Sequence, residues 1–187
     1  MSNPKYNWKL GLALSVVALL ALLAGYGLRK LVQDHPAVEA AIATNLIGQQ
    51  RPDFSLPDLE GTPHSISEWD GKVLLINFWA TWCPPCQKEI PGFIKVREQV
   101  GTERFEVIGI AIDDQKAVRD FVDRQTIPYP ILHGEREASR ISVAYGNKLG
   151  GLPYSVLVDR QGVIRSSKTG EFEPPELLKQ LQPLLQQ

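Results

Sequence analysis

The two cysteines of this 187-residue chain lie close together, in the segment Trp82-Cys83-Pro84-Pro85-Cys86. Two cysteines separated by two residues can form a reversible disulfide and exchange electrons with other thiols and disulfides. A structural zinc site would need about four ligands, and the chain has no further cysteine and only three scattered histidines. A purely structural disulfide across so short a loop would constrain little of the unfolded chain. The pair therefore predicts redox catalysis that requires no metal and no organic cofactor.

The elements on either side of this pair are suited to position it. The apolar run 73–79 predicts a buried strand, and residues 87–96 predict a helix that follows the pair directly. A helix N-terminus has unpaired N–H groups and a partial positive charge, which favour the thiolate form of Cys83. Pro84 and Pro85 fit the first helical turn because N–H groups there lack intrahelical partners. We therefore expect Cys83 to be the exposed nucleophile.

Strands and helices alternate along the rest of the chain. That order predicts parallel crossovers with helices on both faces of a sheet, and a final hairpin adds antiparallel strands. The expected architecture is a mixed, three-layer α/β sandwich. The other predicted elements are a hairpin near 53–56 and 63–66, a helical turn at 67–69, strands at 105–112, 129–132, 154–158 and 163–168, and helices that follow Asp113 or Asp114, span 135–145 and begin at Pro174.

The composition indicates a globular domain and gives no sign of a nucleic-acid partner. Hydrophobic residues make up 43% of the chain, which is sufficient for a full core. The 20 basic and 21 acidic residues leave a net charge of −1, so no basic surface for nucleic acid is expected.

Residues 10–28 form an uncharged, mostly apolar stretch near the start of the chain. As a helix this stretch would extend about 28 Å, close to the hydrocarbon thickness of a bilayer. We interpret residues 1–31 as a transmembrane signal-anchor, 32–47 as a tether and 48–187 as the globular domain. A cleaved signal peptide is the alternative, although its apolar region is normally shorter, about 7–15 residues.

The charges that flank this stretch favour a cytoplasmic N-terminus only slightly. Lys5 and Lys9 lie on one side, and Arg29 and Lys30 lie on the other. A signal-anchor in that orientation exports everything that follows it. In a bacterium the globular domain would then lie in the periplasm, attached to the inner membrane by a single span.

Two blocks of the sequence resemble a known family. The first is residues 77–86 (NFWATWCPPC), followed by Glu89 and Pro91, and the second is residues 150–159 (GGLPYSVLVD). Through them, residues 48–187 resemble the TlpA-like (ResA/CcmG-type) membrane-anchored thiol–disulfide oxidoreductases. The resemblance implies a thioredoxin fold, with a mixed central sheet flanked by helices and an N-terminal β-hairpin extension.

The same resemblance assigns residues around the cysteines. It implies that Pro153 is a cis-proline facing the active site, and a cis X–Pro bond is a placed and costly feature of a fold. Leu152 would lie beside the disulfide, where its backbone can pair with an extended substrate chain. Trp82, Pro84 and Pro85 are expected to border the same surface and to contact the substrate.

Glu89 is the predicted proton acceptor. Thioredoxins place a buried aspartate on the strand before the motif, whereas Asn77 occupies that place here, and an amide cannot take up a proton at working pH. TlpA-like proteins carry a glutamate three residues after the second cysteine, which here is Glu89. We expect it to accept the proton of the resolving thiol, Cys86, with a pKa raised by burial. An ordinary exposed helical glutamate is the alternative.

The resemblance implies that the chain reduces protein disulfides. Proteins of this kind are kept reduced by a transmembrane electron donor, and they act on targets such as the haem-binding cysteines of apocytochromes or copper-site cysteines. A monomer is the default. The alternatives are a thiol oxidase, for which the chain lacks a large helical insertion, and a non-enzymatic copper-binding module, which would need a wider cysteine spacing. A peroxidase is disfavoured because no Thr-x-x-Cys motif is present.

Overall fold

The computed structural model describes residues 46–186. The predicted signal-anchor, residues 1–31, and nearly all of the predicted tether, residues 32–47, lie outside the described residues. Within 46–186, we find no helix with both the length and the hydropathy that crossing a bilayer requires.

Strands and helices alternate in the described residues in the predicted order, with small differences at their ends. They are β1 (Ser55–Pro57), β2 (Pro63–Ser65), a 3₁₀ turn (Ile66–Trp69), β3 (Val73–Trp79), α1 (Pro84–Val100), β4 (Phe105–Ala111), α2 (Gln115–Gln125), β5 (Ile131–His133), α3 (Glu135–Ala144), β6 (Tyr154–Val158), β7 (Ile164–Thr169) and α4 (Pro174–Leu184). β1 and β2 form the predicted small hairpin.

β3 lies at the centre of a five-stranded sheet with the order β5-β4-β3-β6-β7. It pairs in parallel with β4 and antiparallel with β6, and β6 pairs antiparallel with β7. The predicted mixed sheet is therefore confirmed. All seven residues of β3 are buried, because this central strand is covered on both faces.

Alternate side chains of β3 enter two separate apolar cores, one on each face of the sheet. Leu75 and Trp79 belong to the core that also contains residues of α1, α2 and α4. Ile76 and Phe78 belong to the core that contains residues of α3 and the hairpin. By the same alternation, Asn77 lies on the same face of β3 as Leu75 and Trp79. The sheet thus places a buried amide on the face that α1 covers.

α1 begins at Pro84, as expected from the two prolines of its first turn, but it is longer than predicted at its C-terminal end. It continues through Pro91 to Val100, whereas the predicted helix ends at residue 96. A tertiary contact secures its last turn, because Arg97 donates to Glu106 of β4, with Nη2 3.0 Å from Oε2. Local sequence does not reveal this pairing, which explains why the observed helix extends beyond the predicted one.

Gly109 lies in β4 at a point where a side chain has little room. A Cβ atom there would lie 2.6 Å from Cδ1 of Ile131 and 3.2 Å from both Trp79 Nε1 and the ring of Tyr129. We expect Gly109→Ala to lower the free energy of unfolding by about 1–3 kcal/mol, as overpacking usually does. Chemical denaturation would measure the loss. Ile131→Val removes the crowding Cδ1, so the double variant should lose less than the sum of the two single losses, and strict additivity would contradict this contact.

Candidate active site

Cys83 and Cys86 are joined by a disulfide at the N-terminus of α1. Cys83 is the N-cap residue, and the backbone N–H of Cys86 donates to its Sγ at 3.3 Å. The Cys83 thiolate of the reduced form would therefore lie in the field of the helix N-terminus, next to a ready N–H donor. This arrangement agrees with the sequence-based expectation for the pair.

The two sulfurs are less accessible than predicted. Cys83 is only 4% exposed and Cys86 is fully buried, so the expectation of an exposed Cys83 is wrong for the disulfide form. Packing against the apolar core is the reason, since both cysteines belong to it. Their neighbours Trp82, Pro84 and Pro85 are exposed, Trp82 by 66%. A protein that approaches Cys83 therefore meets these side chains first.

The predicted cis peptide bond is present between Leu152 and Pro153. The sheet register places it at the active-site end, because Tyr154 pairs with Phe78 near the end of β3 from which the chain continues to Cys83. Pro153 is buried and Leu152 is half-buried. The fold thus brings the two blocks of the sequence resemblance to one edge of the sheet.

Glu89 is buried, with 2% of its surface exposed, so the alternative of an exposed helical glutamate is wrong. Asn77 Nδ2 donates to its Oε1 at 2.7 Å, and the backbone N–H of Phe172 donates to its Oε2 at 2.9 Å. Burial raises the pKa of Glu89 to about 7, although these two hydrogen bonds oppose the rise. Glu89 lies one helical turn after Cys86, on the same face of α1. A carboxyl with this pKa can exchange a proton at neutral pH.

Other groups that influence Glu89 come from distant parts of the chain. The negative charge of Glu171 adds to the rise of the Glu89 pKa, and the positive charge of Lys168 opposes it. Burial raises the pKa of Tyr129, and the nearby charge of Glu89 adds to that effect. The site is therefore assembled from α1, β3, β7, the segment before β5 and the loop before α4.

Asp113 supports the turn that carries the cysteines, a role that the sequence did not indicate. Asp113 and Asp114 were both candidate caps for α2, and Asp114 is the cap, accepting from the Ala117 N–H at 3.0 Å. Asp113 instead accepts from the backbone N–H of Thr81 at 2.9 Å. The distance of 32 positions between Asp113 and Thr81 explains why local sequence reasoning missed this bond.

Trp79 and His64 both make contacts that the structure defines. Trp79 is 1% exposed and packs against Phe121 with ring centroids 5.3 Å apart, so it is a core residue. His64 contacts both Glu68 and Asp58, at 2.7 Å and 3.2 Å, and the hydrogen bond with Glu68 raises its pKa.

No set of three or more His, Cys, Asp or Glu side chains within residues 46–186 has a geometry that could hold a metal ion. The disulfide lies at the N–H donors of α1, and one helical turn further along is the carboxyl of Glu89, which the amide of Asn77 holds. These groups can stabilise a thiolate and move a proton, which is the chemistry that thiol–disulfide exchange requires.

Comparison with known proteins agrees with this chemistry. Residues 47–167 match the AhpC/TSA family. The chain is 33% identical over 167 residues to the thioredoxin-like protein YneN of Bacillus subtilis (strain 168), an alignment that covers 87% of this chain and 93% of the relative. It is 30% identical over 172 residues to the thiol-disulfide oxidoreductase ResA of Geobacillus thermodenitrificans (strain NG80-2), covering 91% and 94% respectively.

A solved structure of a similar protein has the same fold as this chain. It is a thiol:disulfide interchange protein of the thioredoxin family from Chlorobium tepidum TLS, 29% identical to this chain. The two superimpose with a TM-score of 0.66 over 73% of this chain and 95% of the other.

Proposed function

This chain belongs to the AhpC/TSA family and is a thiol–disulfide oxidoreductase of the thioredoxin fold, and from that premise we propose that it is a disulfide reductase acting on specific proteins. Its working groups are the Cys83/Cys86 dithiol and the carboxyl of Glu89, with Pro153 and Leu152 at the substrate-facing edge. Residues 10–28 would anchor the chain in the bacterial inner membrane, with the catalytic domain in the periplasm.

The buried carboxyl of Glu89 is the observation that carries the direction of the reaction. A dithiol is strongly oxidising when its reduced, thiolate form is stabilised. Glu89 has the opposite effect on the thiolate, because a carboxylate one helical turn from Cys86 repels a second negative charge. The disulfide form is therefore favoured over the dithiol, and a dithiol that readily becomes a disulfide is a reductant.

The first step is attack of the Cys83 thiolate on a sulfur of the substrate disulfide. A bond forms between Cys83 and that sulfur, the substrate S–S bond breaks, and the second substrate sulfur leaves as a thiolate. The helix N-terminus and the Cys86 N–H stabilise the attacking thiolate before the step. Leu152 can hold the substrate as an added extended strand, since a proline follows it.

The second step releases the product. Glu89 takes the proton of the Cys86 thiol, and the resulting thiolate attacks the sulfur of Cys83. The Cys83–Cys86 bond forms, the mixed disulfide breaks, and the substrate leaves with both sulfurs reduced. The substrate gains two electrons and two protons in total, and the enzyme becomes the disulfide seen in the structure. A transmembrane electron donor would return it to the dithiol form.

The equilibrium redox potential of the purified chain tests the direction. We expect a value near or below that of thioredoxin, about −270 mV, in a dithiothreitol or glutathione redox buffer at pH 7. The fluorescence of Trp82, which directly precedes Cys83, provides the readout, and the Cys83→Ser variant, which cannot form the disulfide, is the control. A value near about −120 mV would identify a thiol oxidase instead.

The targets proposed for this reductase are the cysteines of haem-binding or copper-binding sites in exported proteins. The relative from Geobacillus thermodenitrificans is named a thiol-disulfide oxidoreductase, which supports a protein substrate. Reduction of an oxidised Cys-x-x-Cys-His peptide by the chain, at a higher kcat/KM than reduction of glutathione disulfide, would support the proposed targets. Equal rates for the two substrates would contradict selectivity for them.

A further inference from the structure

Asn77 has an unusual hydrogen-bonding position in the middle of β3. It is 1% exposed, and its Nδ2 donates to Glu89 Oε1 at 2.7 Å and to Ser155 Oγ at 3.0 Å. Its Oδ1 is buried and has no hydrogen-bond partner. A buried polar atom without a partner is unfavourable, so an amide held in this way calls for an explanation.

The present orientation of the amide suits an ionised Glu89. A carboxylate can only accept hydrogen bonds, so each of its oxygens needs a donor. The amide N–H of Asn77 donates to Oε1, and the backbone N–H of Phe172 donates to Oε2. Both donors lie within normal hydrogen-bond distance, and the ionised state is thus fully satisfied.

A protonated Glu89 needs an acceptor, and its two neighbours differ in what they can offer. The backbone N–H of Phe172 can only donate, so the proton cannot be directed at it. The amide of Asn77 can accept once it turns by half a rotation, because Oδ1 then takes the place of Nδ2. Ser155 can follow this change, since a hydroxyl accepts from Nδ2 in one orientation and donates to Oδ1 in the other.

We propose that Asn77 is a positioning residue whose side-chain amide turns over as Glu89 gains and loses its proton, donating to the carboxylate and accepting from the acid. This inference rests on the proposed role of Glu89 as the proton acceptor of Cys86. Among the described residues, no donor or acceptor beside the present position of Oδ1 holds the amide in one orientation, so either end of the amide can occupy that position. The nitrogen and oxygen ends of an amide have nearly the same shape, so the turn requires no repacking of the core.

The turn matters in the step that releases the product. When Cys86 gives its proton to Glu89, a new O–H bond forms at the carboxyl and the S–H bond breaks. The Asn77 Nδ2–H that faced the carboxylate would then oppose a carboxylic O–H, which is a donor against a donor. Turning of the amide removes this opposition and holds the proton on Oε1 until it passes to the departing substrate thiolate or to water.

The remaining groups that face Glu89 stay unchanged when Asn77 is replaced. They are Lys168 of β7, Glu171 of the loop before α4, Tyr129 of the segment before β5, and the N–H of Phe172. A change in the pH dependence of an Asn77 variant can therefore be assigned to the amide itself.

The test is the pH–rate profile of disulfide reduction by the full chain and its variants. Asn77→Leu has a similar size and no polar atom, so both states of Glu89 lose a hydrogen bond. The bond to the carboxylate is charge-assisted and therefore the stronger of the two, so its loss raises the pKa of Glu89. We expect the acidic limb of the profile to move up by about one pH unit, and the rate at pH 7 to fall about five-fold. Asn77→Asp, which cannot donate when ionised, should move the limb further because two carboxyls then share one proton. It also serves as the second variant if Asn77→Leu does not fold.

Ser142→Ala is the matched control. Ser142 is a buried serine that accepts from another buried amide, Asn147 Nδ2 at 2.9 Å, and the structure shows no contact between it and Glu89. It should lower stability without moving the acidic limb. If the acidic limb of the pH–rate profile lies at the same pH in Asn77→Leu and Asn77→Asp as in Ser142→Ala, the amide is only structural and the inference is overturned.

A spectroscopic measurement separates this inference from the proposed function. In the disulfide form, the side-chain ¹⁵N–¹H resonances of Asn77 should titrate with a midpoint of about 7 and stay constant in Glu89→Gln. Nuclear Overhauser contacts from these protons to Ser155 should be strong above the midpoint and lost below it. If the contacts persist at low pH, the amide does not turn. This readout needs no turnover, so it holds even if the chain proves not to be a reductase, whereas a lack of turnover in the wild type would overturn only the proposed function.

Discussion

Replacement of Cys86 with serine should abolish turnover and trap the substrate on Cys83. Cys83 keeps its helix N-terminus and its N–H donor, so the first attack still occurs. A hydroxyl cannot displace the substrate from the mixed disulfide, and turnover should fall by at least about 10³-fold. Non-reducing electrophoresis followed by mass spectrometry would identify the trapped protein in the native cell.

The reciprocal variant is the control for this experiment. Cys83→Ser leaves only the fully buried Cys86 sulfur, which a folded protein substrate cannot reach. It should therefore be inactive and form no adduct. An adduct in Cys83→Ser together with none in Cys86→Ser would reverse the roles of the two cysteines. No adduct in either variant would contradict a mixed-disulfide mechanism.

Replacement of Glu89 with glutamine should slow the release step and remove its dependence on pH near 7. Glutamine has nearly the same shape and cannot take up the Cys86 proton. General base catalysis of this kind contributes about 10²–10⁴-fold, so we expect turnover at pH 8 to fall by about 10²-fold. The wild-type rate should decline below about pH 7, where the carboxyl is protonated, and the variant rate should lack this limb.

The same substitution should change the pH dependence of stability. Burial raises the pKa of Glu89 from 4.5 to about 7 in the folded chain, so the unfolded chain ionises first as pH rises. The stability that this carboxyl contributes is complete below about pH 4.5 and is lost by about pH 7, a loss of about 3 kcal/mol. Relative to wild type, Glu89→Gln should therefore gain stability between pH 4 and pH 8, as urea denaturation at both pH values would show.

Glu98→Gln is the matched control for both effects of Glu89→Gln. Glu98 is exposed on α1, nine residues after Glu89 and on the opposite side of the helix. Its replacement should leave turnover, the acidic limb and the pH dependence of stability unchanged. An acidic limb that survives in Glu89→Gln would assign the proton transfer to another group.

Local patterns in the sequence were sufficient to predict the strands, the helices and the redox pair of cysteines. Residues 73–79 are apolar without interruption and precede the cysteines, so a buried strand before a helix N-terminus followed directly. The order of the elements then predicted the mixed sheet. Helix ends were less predictable, because α1 is extended to Val100 by the contact of Arg97 with Glu106, which the sequence pattern does not reveal.

The resemblance to a family supplied what local pattern could not. The cis bond before Pro153 and the role of Glu89 both came from it, since neither a turn proline nor a helical glutamate is distinctive by itself. The structure contains the cis bond and buries Glu89, while the catalytic roles of both residues stay predictions.

The pKa of the carboxyl at the site was decided by tertiary structure alone. The sequence determined that two cysteines meet at a helix N-terminus, because that depends on neighbours within one turn of the chain. The pKa of Glu89 depends instead on its burial, on Asn77 at 12 positions and on Phe172 at 83 positions along the chain. Hydrogen bonds and desolvation act over a few ångströms in space, and only the folded chain brings β3 and the loop before α4 within that distance of one carboxyl.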